Sequence, residues 1–152
     1  GVELSDRPGY APEYHDPAFM KLAEECCVAL CGRKKVVFDY NGWSTGSSDF
    51  GDVTCVMPGV QINAGGAVGT LHGIDFQITD PNRMCVNAAK VQLFLVDALL
   101  SNNAVTAKGI IANYKPQYPS IKAYLDAIDA LTLDKDAVRY DEKGNAIVDF
   151  QN

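Results

Sequence analysis

The 152-residue sequence predicts an α/β fold, on three observations. Two Asp-Pro pairs each open a run with helical periodicity, short apolar runs suited to strands stand between them, and a glycine-rich loop leads into the second helix. The expected organisation is a layer formed by residues 1–103, with few strands packed against helices. Residues 104–152 then form a helical and hairpin extension packed on it.

Residues 2–12 read as loop. Asp16-Pro17 supplies an N-cap carboxylate followed by proline at the first helical position. Phe19, Leu22, Ala23, Cys26 and Leu30 recur at helical spacing, and Gly32 provides the stop. Arg33-Lys34-Lys35 forms a solvated connection. Residues 35–40, with Val36, Val37 and Phe38 in succession, predict a strand buried on both faces. A polar loop over 41–48 carries the single tryptophan, Trp43.

Residues 49–57 suit either a short helix or a loop, and 59–63 predict another short strand after Pro58. Asp80-Pro81 repeats the helix-start signature. From there to about residue 102 the sequence is apolar on most sides, through Val91, Phe94, Leu95, Ala98 and Leu99, which predicts a central packing helix. Pro119 opens a further helix with a stripe of Ile121, Tyr124, Leu125, Ile128 and Leu131. Residues 138–150 predict a hairpin that turns at Gly144.

Composition removes several functional classes. Hydrophobic residues at 47% and charged residues at 21% suit a chain with a packed core rather than a disordered one. A net charge of -6 leaves no clustered basic surface for nucleic acid or anionic membrane. No uninterrupted apolar stretch reaches the roughly 18–20 residues of a membrane span, and no basic-then-apolar leader pattern opens the chain. Five cysteines, three of them within one helix, read as reduced thiols of a cytoplasmic protein rather than as a disulfide framework. Cys27 and Cys31 share a helix face, but the second cysteine or histidine pair of a zinc site is missing. The start at Gly1, running straight into loop-like sequence, suggests a piece of something longer.

Chemistry concentrates in two segments. His72 lies in Gly65-Gly66-Ala67-Val68-Gly69-Thr70-Leu71-His72-Gly73-Ile74-Asp75, where glycines let the backbone adopt crowded or left-handed conformations and present an imidazole in a cleft. The residues equally allow a hydrogen-bonded structural histidine. Asp75 is placed to support a metal-bound imidazole from behind. The second segment, Ser47-Ser48-Asp49-Phe50-Gly51-Asp52, offers Asp49 and Asp52 as carboxylates that orient an imidazole or cap a short helix. The glycine run has neither the lysine and spacing of a P-loop nor the dinucleotide fingerprint. His15, just before a helix cap, reads as solvated or capping.

Four stretches together, Gly46 through Thr54, Met57-Pro58, Gly65 through Ile78 and Asn87-Ala88-Ala89-Lys90, resemble the C-terminal catalytic segment of the metal-dependent amidohydrolase, aminoacylase and carboxypeptidase family. The nearest branch is similar to the p-aminobenzoyl-glutamate hydrolases. Arg7-Pro8-Gly9-Tyr10 and the Asp16-Pro17 helix resemble the stretch where such chains re-enter the catalytic domain after their lid domain, so the likeness covers about residues 5–100.

The resemblance implies part of a zinc-exopeptidase-like catalytic domain. There a water bridging two metal ions, zinc or manganese, attacks the amide of an N-acyl or N-aryl amino acid with a glutamate as general base. It implies His72 as a metal ligand, Asp49, Asp52 and Asp75 as supporting or architectural residues, and Gly65, Gly66 and Gly69 as the loop beside substrate and metal. Ser48 stands where relatives often have threonine. The family's other ligands and its glutamate come from an N-terminal catalytic segment, and residues 1–71 hold no equivalent set. The expectation is therefore a piece without catalytic residues of its own, inactive and without tight metal alone, whose partners are that segment, the lid domain and a small amide substrate. Unpartnered edges would favour self-association. The alternative is a stand-alone, non-catalytic binding or assembly domain with the same scaffold.

Overall fold

The fold is taken from a computed structural model, which describes residues 2–42, 46 and 48–149. It mixes helix and sheet, with helix predominant, and so is compatible with the α/β class. In chain order the elements are β1 (Val2–Asp6), α1 (Pro17–Cys31), a 3-10 turn (Arg33–Lys35), α2 (Phe50–Thr54), β2 (Ala67–Val68) and β3 (Gln77–Ile78). A π-helical turn (Asn82–Val86), α3 (Asn87–Asn113), α4 (Ile121–Asp129), β4 (Leu133–Tyr140) and β5 (Ala146–Val148) follow. Every strand pairing is antiparallel. One sheet has the order β1-β4-β5, and β2 and β3 form a separate hairpin.

Both helix starts behave as their sequence chemistry requires. Asp16 Oδ1 accepts from the Phe19 N–H at 2.9 Å, and Gly32 ends α1 at φ 82° with its N–H on the Val28 carbonyl. Asp80 Oδ1 accepts from the Arg83 N–H at 3.0 Å. Ser120, next to the expected Pro119, caps α4 by accepting from the Ala123 N–H. The C-terminal hairpin turns where expected. Asp141 accepts from the Lys143 and Asn145 N–H groups, Gly144 lies at φ 82°, and Val138 pairs with Val148. Bonds from Asn145 hold the Asp141 carboxyl below the usual carboxylate range.

Three expectations need correction. Residues 2–6 form a strand, not a loop, because Val2–Asp6 pairs with β4 more than a hundred residues away, a partner with no local signal. Residues 35–40 form no strand: a 3-10 turn takes 33–35, and the extended chain beyond it has no strand beside it. One face only is covered, since Val36 and Phe38 pack on the core while Val37 is 91% exposed. Residues 59–63 likewise form no strand, for want of a neighbour. The central helix keeps its helical backbone to Leu100, close to its expected end near residue 102; Ser101–Ala104 then break it, with Asn102, Asn103 and Ala104 at positive φ, and a second helical stretch runs on to Asn113. Trp43, Ser47 and Phe150 lie outside the described residues.

The core is small. Ala23, Cys26 and Cys27 of α1 meet Val91 and Leu95 of α3, with Phe19, Leu22, Val36, Phe38, Val60 and Ile62 packed around them. Leu93, Val96 and Leu100 of α3 remain exposed, so this helix is covered along one side only. Contrary to the sequence reading, the helical run Asn82–Asn113 is long and apolar enough to cross a membrane by length and composition. All five cysteines are free. Cys26, Cys27 and Cys55 are buried, and burial pushes their thiols up.

Candidate functional site

His72 sits between β2 and β3. Ala67 pairs with Ile78 and Val68 with Gln77, and the intervening residues fold into successive turns closed by Gly73 N–H on the Thr70 carbonyl and Phe76 N–H on the Gly73 carbonyl. The Asp75 carboxylate accepts from the Thr70 N–H at 3.1 Å and from its hydroxyl at 3.4 Å. Asp75 thus fastens the turn itself and does not bond the imidazole. His72 is exposed, adopts φ 64°, and makes no hydrogen bond or ion pair among the described residues. A non-glycine residue in the left-handed region is uncommon and costs of order 1 kcal/mol, so such backbones persist where the surroundings impose them.

The glycines make the surroundings that impose it. Gly69 lies at φ 92°, and a Cβ there would come within 2.2 Å of the Asp75 carbonyl oxygen. Gly66, at φ 123°, lies against the Asp80 carbonyl and the Met84 N–H, and its own carbonyl accepts from the Thr79 and Asp80 N–H groups at 2.9 Å. Gly65 lies over the Arg83 guanidinium. These residues fix the base of the hairpin on the start of the long helix, which is how the fold orients the His72 turn.

Asp49 and Asp52 belong to a different place. Asp49 is the exposed N-cap residue of α2 and makes no side-chain capping bond; Ser48 does that work, accepting from the Phe50 N–H and donating to Glu13 Oε1 at 2.6 Å. Asp52 accepts from the Ala11 N–H at 2.8 Å and lies close enough to the Tyr124 hydroxyl to influence it. Burial, then that carboxylate, pushes Tyr124 up to about 12. Thr54, fully buried, accepts from the Tyr14 N–H and donates to the Gly51 carbonyl, while the Tyr114 hydroxyl donates to the Thr54 carbonyl.

A polar cluster absent from the sequence reading lies beside Ser48. Glu13 receives the Ser48 hydroxyl on one oxygen, approaches His15 Nε2 at 3.1 Å with the other, and meets the Gln61 amide once its nitrogen faces the carboxylate. His15 is therefore a partner of Glu13 rather than a cap, and its ring meets Phe50 edge-on. No local pattern unites residues 13, 15, 48 and 61; only the fold does.

The implied metal would find few donors here. His72 brings one nitrogen, Asp75 is committed to its turn, and Asp49 and Asp52 sit at α2. Among the described residues no group of three or more His, Cys, Asp or Glu side chains is placed to hold a metal ion. The donors among the described residues do not by themselves fit a catalytic metal, which needs about three protein ligands. A cavity of about 810 Å³ is lined by His15 and Gly65 but not by His72, Asp49, Asp52 or Asp75. No protein-family model, curated protein or solved structure matches the chain.

Proposed function

We propose that this chain is the C-terminal portion of a metal-dependent amidohydrolase, part of a zinc-exopeptidase-like catalytic domain, to which it contributes His72 as one metal ligand. The parent enzyme cleaves the amide of an N-acyl or N-aryl amino acid, or of a small peptide-like substrate. The observation that carries the reading is the His72 turn: an unpartnered imidazole on a left-handed backbone, held from below by Asp75 and the glycines that also carry the family resemblance. Such a device suits a ligand delivered to donors on another segment. Free thiols throughout suit a reducing, cytoplasmic setting.

The test is His72→Ala in the enzyme encoded by the complete reading frame, assayed on N-acyl amino acids with bound metal measured alongside. The expected result is loss of most activity and of about one metal equivalent per chain, with thermal unfolding unchanged. Retained activity and metal in a folded variant would contradict the assignment. The 152-residue chain alone is expected to keep substoichiometric zinc after dialysis, and tight one-to-one zinc would count against the reading. A non-catalytic binding or assembly domain is the second reading, favoured by the lack of a three-donor group among the described residues.

A further inference from the structure

Cys27 and Cys31 lie four positions apart in α1, where side chains at that spacing sit on one face, one above the other. Both line the cavity of about 810 Å³, Cys27 as a buried residue and Cys31 as a half-buried one. Burial, then the neighbouring Cys31 and Cys26 thiols, pushes the Cys27 thiol up, so the two cavity thiols lie within each other's field. Neither makes a hydrogen bond or a disulfide among the described residues. Cys26, one position away, belongs to the α1–α3 core and does not line the cavity.

The spacing decides what such a pair can hold. Cβ atoms at i and i+4 of a helix stand about 5–6 Å apart, whereas a disulfide needs roughly 3.5–4.5 Å. The pair is therefore too wide to close on itself without unwinding the last turn of α1. A first-row metal–thiolate bond is about 2.3 Å, so an ion midway between two sulfurs spans up to about 4.6 Å. Each sulfur lies one bond beyond its Cβ, and staggered rotamers that converge bring the two within that span. Zinc asks for three or four protein ligands, and among the described residues no third His, Cys, Asp or Glu joins the pair. Two soft thiolates alone suit monovalent copper.

We propose that Cys27 and Cys31 form a two-thiolate site for a monovalent soft cation, copper(I), reached from the cavity. On binding, two S–H bonds give way to two Cu–S bonds and both protons pass to solvent. Copper stays monovalent, so no oxidant or reductant takes part. The bis-thiolate complex carries one net negative charge, and Lys35 lines the same cavity with a positive one. The inference is independent of the hydrolase reading, whose His72 does not line this cavity.

The experiment titrates the reduced 152-residue chain, under anaerobic conditions, with copper(I) held by a chromogenic chelator, and follows copper per chain and the X-ray absorption of the bound ion. The expected result is one copper per chain with two sulfur neighbours. Cys31→Ser, at a half-buried position, is expected to keep its far-ultraviolet dichroism. Its apparent copper affinity should fall by at least about a hundredfold, the upper end of the loss when only a supporting partner of a ligand is removed. Cys27→Ala is expected to lose copper to the same degree, whereas Cys85→Ser, at an exposed thiol elsewhere, and His72→Ala bind as the parent sequence does. No copper bound by the parent sequence, undiminished binding by folded Cys31→Ser, or loss of copper in Cys85→Ser would overturn the proposal. So would three or more sulfur neighbours, which would assign the ion to thiols shared between chains.

Discussion

The α2 corner and the His72 hairpin are built from the same residue types, glycine, aspartate and a hydroxyl residue within a few positions, and they hold their shape in opposite ways. At α2 the bonds come from far along the chain: Asp52 to Ala11 spans 41 positions, Thr54 to Tyr14 spans 40, and Tyr114 to Thr54 spans 60. In the hairpin Asp75 reaches only five positions back, to Thr70. The corner is therefore a tertiary clamp that ties the beginning of the chain and its tail to one short helix. The hairpin is a local device, able to keep its form while one residue at its tip stays free for another purpose.

Substitutions at four positions separate the clamp from the device. The largest effect is expected for Gly51→Ala, whose Cβ would lie 1.8 Å from the Ala11 carbonyl oxygen, a backbone atom with little room to move. Thermal unfolding should show a loss of about 3 kcal/mol; an unchanged midpoint would break the idea of a clamp. Gly69→Ala should cost less, about 1–2 kcal/mol, and its effect should be confined to faster exchange of amides 67–78. Loss of protection throughout the chain would show that the hairpin is not autonomous.

Tyr124 joins α4 to the clamp, and its raised pKa fixes a sign. The folded state keeps the phenol protonated to about pH 12, whereas the unfolded chain releases it near 10, so this contribution is intact below pH 10 and lost as pH rises from 10 toward 12. Unfolding followed between pH 9 and 12 should show a shallower decline in Tyr124→Phe than in the parent sequence. Equal slopes would remove Tyr124 from the clamp. The smallest effects belong to His72. His72→Ala is expected to change stability by less than about 0.5 kcal/mol, and His72→Gly to raise it by up to about 1 kcal/mol by relieving the left-handed backbone. A large loss in either variant would make His72 structural.

The same contrast explains what could be read from the sequence. Both Asp-Pro helix starts, the Ser120 region and the Gly144 turn were legible because capping and turn chemistry act over three or four residues. The His72 turn was legible for the same reason, although Asp75 fastens Thr70 rather than the imidazole. Partners at long range were not legible. Val2–Asp6 is a strand only because of β4, and residues 36–38 look like a strand in composition but find no neighbour. The Glu13, His15, Ser48 and Gln61 cluster has no spacing that a linear reading would notice. Of the α3 positions read as packing, Val91 and Leu95 are buried while Phe94 is exposed, and beside it Leu93, Val96 and Leu100 lie exposed as well. If that surface drives self-association, light scattering should show an apparent mass that rises with concentration; a constant monomer mass would argue that the surface is tolerated in water.

The central claim, that His72 is one ligand of a larger metallo-amidohydrolase, is tested most directly by sequencing the coding DNA upstream of the Gly1 codon. The expected result is an open frame that continues into a segment with clustered histidine and aspartate and paired glutamates. A start codon at or near Gly1 would leave His72 without donors to join and would contradict it.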